Sequence, residues 1–150
     1  MSSTAVYLNE LGVTCALGSG RAQVREGLFA DQPGGLRDND TLVAGRTLAL
    51  GEVSGPLPDL SALPVALRGR NNALLESALL QIRPAVEAAI ARFGAERVAV
   101  IIGTSTSGIG ESEGALRLQA DEGRWPEDFH YAQQEMGTSA RFVRERIGSE

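Results

Sequence analysis

No lysine occurs among the 150 residues, and all fourteen basic side chains are arginine. That absence removes Schiff-base chemistry, which needs a primary amine, and the phosphate-binding lysine of a P-loop. A single cysteine, Cys15, permits no internal disulfide. Among Val13, Thr14, Ala16 and Leu17 it reads as a small buried apolar residue rather than a nucleophile. No apolar run approaches the roughly 18 residues that a membrane-spanning helix needs. The start, Met-Ser-Ser-Thr-Ala-Val-Tyr, lacks the basic-then-apolar order of a secretory signal, so a cytoplasmic protein without membrane contact is expected. Positive charge is in deficit, with a formal net charge of -5, which argues against nucleic acid as a partner.

What is present fits one ordinary domain: 43% of residues are apolar, enough for a core. Thr4 to Leu11 reads as a first strand with Val6 and Leu8 on one face, and Arg21 to Ala30 as a short helix with Val24, Leu28 and Phe29 as its stripe. Asp31 to Asp40 reads as turn material. The two apolar stretches flanking Gly45 predict a hairpin, and Pro56, Pro58 and Pro64 an irregular connection. A long helix starts near Asn71 or Asn72, either a candidate N-cap. Leu75, Leu79, Ile82, Val86, Ala89 and Phe93 share one face, with Glu76, Arg83 and Glu87 off it. Pro84 predicts a kink or break, and Gly94 a left-handed stop.

The near-continuous apolar run in Arg97 to Ile102 suits a strand covered on both faces. A loop from Gly103 to Gly110 follows, then a helix from Glu111 to Ala120. Together these predict a layered α/β protein. The loop is not a P-loop, because Ile109 and Gly110 stand where Lys and Ser or Thr must be. Nor does it complete a dinucleotide fingerprint: Glu113 occupies the third glycine position, and Glu111 and Glu113 crowd the turn where a pyrophosphate would sit. Two readings of its small residues stay open. They permit tight packing between layers, or they leave room for a ligand or second subunit.

Three blocks carry a family resemblance. "VYLNELGVTCALGSG" resembles the first strand and loop of the β-ketoacyl-acyl-carrier-protein synthases, "VAVIIGTSTSGIGE" is similar to their second strand and glycine loop, and "EDFHYAQQEMGTSARFVRERIG" to the segment that follows. The resemblance implies the thiolase-like fold, an αβαβα layering of which residues 1–150 form an incomplete N-terminal half. It implies a decarboxylative Claisen condensation between an acyl thioester and a malonyl group on acyl carrier protein, both phosphopantetheine-linked. The resemblance implies a role in fatty-acid, polyketide or polyene synthesis, the Thr-Ser-Thr-Ser-Gly-Ile form suggesting polyenes. A homodimer or a pair with a related subunit is implied, with no cofactor and no metal.

In that family the nucleophile follows the segment matching "ERIG", so it is expected just beyond Glu150, and the 150 residues alone are expected to be inactive. Cys15 stands where the family has Ser or Thr. His130 matches neither catalytic histidine and reads as partly buried near an interface. Carried over by position, Gly108 and Ile109 border the acyl pocket, and Gln134 and Met136 lie where the other subunit closes it. Trp125 reads as the anchor of a surface loop, and Arg68 and Arg70 as a solvated face beside a helix cap, with contact to a carrier protein as the alternative. Two other readings stand beside the enzyme: a non-catalytic partner in the manner of a chain length factor, and an unrelated small α/β ligand-binding domain.

Overall fold

The computed structural model describes residues 5–31 and 34–149. Two antiparallel strands, β1 (Thr14–Cys15) and β2 (Gly18–Ser19), lead into α1 (Arg21–Leu28). A hairpin of β3 (Leu36–Val43) and β4 (Arg46–Gly51) follows. Three further helices complete the order: α2 (Arg70–Phe93), α3 (Ile109–Glu122) and α4 (Met136–Ile147).

The hairpin turns at Gly45, whose φ of +73° suits a glycine. Its first strand takes in Leu36 to Asp40, which composition assigned to a turn; alternation with β4 overrides the Asp and Asn content. Gln32 and Pro33 of that stretch lie outside the described residues. On α1, Val24 is half-buried while Leu28 and Phe29 are exposed, so the expected stripe is only partly covered.

The core forms where the proline-rich connection, α2 and α4 meet. Leu60, Leu67, Ala73 and Phe142 are buried together, with Leu57, Leu63, Leu75 and Val143 packed around them. The N-cap of α2 is Gly69, with no side-chain cap of its own, so Asn71 and Asn72 fall inside the first turn. Pro84 does not break α2; one helix runs from Arg70 to Phe93. Pro84 and Leu80 are both exposed, so the Leu80 carbonyl left without its usual donor faces solvent. Gly94 ends the helix at φ +92°, but its ψ of 148° places it outside the left-handed helical region. Of the expected apolar face only Leu79 is fully buried, and Phe93 is exposed.

Glu76, placed off that face by periodicity, is 2% exposed and lies between two arginines. Arg146 on α4 donates from Nη2 to Glu76 Oε1 at 2.6 Å and from Nε to both carboxylate oxygens at 3.1 Å. Arg83 adds a longer contact at 3.4 Å. The hydrogen bond to Glu76 holds the Arg146 guanidinium above its ordinary range.

The two strands expected at 4–11 and 97–102 do not form. Thr4 lies outside the described residues, and Arg97 closes a short 3-10 turn, Ala95–Arg97. Among the described residues, no backbone hydrogen bond joins 5–12 or 99–107 to another segment, and the only ladders are the two hairpins. An apolar run becomes a strand only against a hydrogen-bonded neighbour, and none stands there. Leu8 is 98% exposed and Ile101 91%. The chain therefore exposes 10804 Å², against about 7,300 Å² for a compact globule of its mass.

The first segment is still tied down at its end. Gln81 on α2 accepts the Val13 amide hydrogen at 2.9 Å and donates to the Val13 carbonyl at 3.0 Å, taking both backbone groups as a strand neighbour would.

Candidate functional site

The glycine loop enters α3 through Gly108, which adopts the left-handed conformation, φ 58° and ψ 28°. A Cβ there would stand 2.5 Å from the Gln133 carbonyl oxygen, so the glycine lets two backbones meet. Ser107 fastens the same approach, donating to the Gln133 carbonyl at 3.1 Å. Asn71 Nδ2 donates to the hydroxyls of Ser107 at 3.3 Å and Ser139 at 2.8 Å, which joins the loop to α2 and α4. Glu111, in the first turn of α3, accepts the Arg70 amide hydrogen at 2.7 Å and so supplies from a distance the cap that α2 lacks.

The facing wall is a 3-10 turn, Tyr131–Gln134. Here His130 Nδ1 accepts the Ala132 amide hydrogen at 3.1 Å, and Gln133 Oε1 accepts that of His130 at 2.9 Å. The ring belongs to an exposed residue, not the partly buried one expected, because it caps the turn from outside. Gln133 is itself buried and donates to the Arg68 and Asp128 carbonyls, both at 3.1 Å.

The structure brings Ile109, Gln134 and Met136 to one open groove of about 300 Å³, with Leu116 and Ser112 on the α3 side. Ser112 donates to Gln134 Oε1 at 3.1 Å and fixes that wall. Gly108 lines a neighbouring groove of about 480 Å³ with Arg70, Asn71 and Leu74. Ile109, Leu116 and Met136 are all exposed, giving the first groove an apolar rim that no other described residue covers. It can hold a hydrocarbon or an apolar surface; its walls carry no nucleophile beside a base.

The remaining candidates lie elsewhere. Cys15 is half-buried in β1. Arg68 spends its Nε on the Leu63 carbonyl at 2.7 Å and is half-buried, whereas Arg70 is exposed. Trp125 stacks on Phe129, ring centroids 5.4 Å apart and planes 15° apart. Among the described residues no three His, Cys, Asp or Glu side chains gather where a metal ion would sit, and no helix is long and apolar enough to cross a membrane. Sequence reasoning missed Glu76, Gln81 and Ser112. Ser112 had a signal, lying one turn from Ile109 on the same helix.

No protein-family model matches the chain, and no curated protein does. Among solved structures, it is similar to a chain in the complex of the ketosynthase ApeO with its chain length factor ApeC from Xenorhabdus doucetiae, with a TM-score of 0.85 and 36% sequence identity. The match covers 95% of this chain and 36% of that one. The fold is thus the thiolase-like α/β fold of ketosynthase-type proteins, represented over part of its length.

Proposed function

We propose that residues 1–150 form the N-terminal part of a β-ketoacyl-acyl-carrier-protein synthase, acting in the cytoplasm on carrier-bound acyl and malonyl groups in fatty-acid, polyketide or polyene synthesis. The observation that carries this reading is the open groove at Ile109, Gln134 and Met136. These are the residues the family resemblance assigns to the acyl pocket, and they meet in space although 25 positions separate Ile109 from Gln134. The exposed rim supports pairing with a second subunit, since an acyl chain gains from burial only in a closed channel. Ile109 limits the chain that enters. The chemistry itself needs a cysteine nucleophile and two histidines, which one cysteine in β1 and one capping histidine do not supply.

In the test, the assembled enzyme receives acyl- and malonyl-carrier protein, and carbon dioxide release is followed across a series of primers. Ile109→Trp is expected to suppress long primers while sparing the shortest, overpacking costing about 1 to 3 kcal/mol. Ile109→Ala is expected to admit longer ones. Equal losses at every length leave Ile109 as packing alone.

The matched complex also holds a chain length factor, which favours a second reading as a non-catalytic partner. Under it the protein releases no carbon dioxide itself but changes the product length of a ketosynthase paired with it.

A further inference from the structure

The groove that gathers Ile109, Gln134 and Met136 is lined by two kinds of surface. Ile109, Leu116 and Met136 supply hydrocarbon, whereas Ser105, Thr106, Ser112 and Gln134 supply uncharged hydrogen-bonding groups. A plain acyl chain answers only the first kind.

Gln134 is the polar group held most firmly. It is half-buried, and Ser112 donates to its Oε1 at 3.1 Å. That bond occupies the acceptor end of the amide and fixes the side chain in the groove. The donor end is left over: among the described residues no acceptor meets Gln134 Nε2, which carries two hydrogens. Ser105 and Thr106 are exposed, and their hydroxyls stand in the same lining. While the groove is open, water serves all of these groups. Once a second subunit closes the channel that water leaves, and a hydrocarbon returns none of the lost hydrogen bonds.

Charge narrows the choice of occupant. Glu113 also lines the groove and opposes a carboxylate end. An ammonium end suits Glu113 but meets only hydrogens at Gln134 Nε2, and it surrenders its hydration on entry. An uncharged oxygen meets both demands. It accepts from Nε2 while the methylenes beside it rest on Ile109 and Met136. Since Ile109 limits the chain that enters, this oxygen belongs at the far end of the acyl group.

We infer that Gln134 is a specificity-determining residue, and that the groove takes acyl chains bearing a hydroxyl or ketone oxygen at the far end. The inference rests on the synthase reading and narrows its substrate class.

The test follows carbon dioxide release by the assembled enzyme with carrier-bound primers of one length. Their far ends carry a methyl, a hydroxyl, a ketone, a carboxylate or an ammonium group. The hydroxyl and ketone primers are expected to exceed the methyl primer in kcat/KM by roughly tenfold. Gln134→Leu is expected to erase that preference while the methyl primer keeps its kcat/KM. Gln134→Glu keeps the side-chain shape and an acceptor for Ser112 but cannot donate, so it is expected to retain the hydroxyl primer and lose the ketone. Ser112→Ala is expected to weaken the preference without erasing it. A role in packing alone lowers every primer together and leaves their ratios unchanged. If the leucine variant does not fold, the glutamate variant decides the matter by its hydroxyl-to-ketone ratio. Equal kcat/KM for the methyl, hydroxyl and ketone primers in the unaltered enzyme overturns the inference, as does a preference that survives Gln134→Leu. Preference for the ammonium primer assigns the groove to Glu113 and overturns it too. No carbon dioxide from any primer removes the synthase reading itself, and this inference with it.

Discussion

Arg146 grips Glu76 with three hydrogen bonds, the shortest 2.6 Å, across 70 positions of sequence. Their exposures differ: the carboxylate is 2% exposed, while the guanidinium is 35% exposed. Removing the arginine strands a buried charge, whereas removing the carboxylate leaves arginines that reach water. Arg146→Met is therefore expected to cost about 2 to 3 kcal/mol, part of the loss being covered by Arg83, and Glu76→Gln about 1 to 2. Urea unfolding of both variants checks the order; equal losses contradict it.

Among the described residues, the Gln81 side chain alone satisfies the Val13 amide. Gln81→Leu leaves that amide unpaired in a half-buried place, at about 1 to 2 kcal/mol, while the Val13 carbonyl keeps the Gly20 amide hydrogen at 2.8 Å. Hydrogen exchange at Val13 is expected to quicken far more than at amides within α2. Unchanged protection there means the segment is held by other contacts.

Gly108→Ala is expected to be among the most damaging single-methyl additions. The new Cβ meets the Gln133 carbonyl oxygen at 2.5 Å, in a backbone conformation that alanine avoids. A loss of about 2 kcal/mol or more follows, read as a lower Tm. Insensitivity at this position indicates that the loop and the Tyr131–Gln134 turn are not pressed together.

Asp59 gives a pH dependence. Its carboxylate accepts the Ser61 amide and hydroxyl hydrogens, both at 2.8 Å, and the amide bond is the first cause that holds its pKa below the ordinary value. A depressed folded-state pKa stabilises above the ordinary value of about 3.9. That contribution is lost only as pH falls through the lower folded value. The Ser61 amide resonance is expected to titrate in that acidic window and to stay flat from about pH 5 upward. A midpoint at or above the ordinary value contradicts the turn.

The hairpin at Gly45 and the long helix were legible because each announces itself locally, one by a glycine between apolar stretches and the other by a recurring apolar spacing. The same spacing misplaced Glu76: periodicity sends a charge outward, and its partner lies on another helix far along the chain. Val98 to Ile102 shows the opposite failure. Its composition is that of a strand, but composition says nothing about whether a neighbour stands beside it. Of the groove, Ile109, Gln134 and Met136 came from family resemblance, since nothing in their own spacing would have joined them.

The Glu76–Arg146 contact also bears on the order in which the molecule can be made. Chains leave the ribosome from their N-terminus, so α2 is complete long before Arg146 has been added. Until then Glu76 faces what will become the interior with only the distant reach of Arg83 to balance it, and water must remain around it. The seam between α2 and α4 thus cannot dry out early. Final tightening waits until Arg146 itself has been added, however early the helices on either side of the seam form.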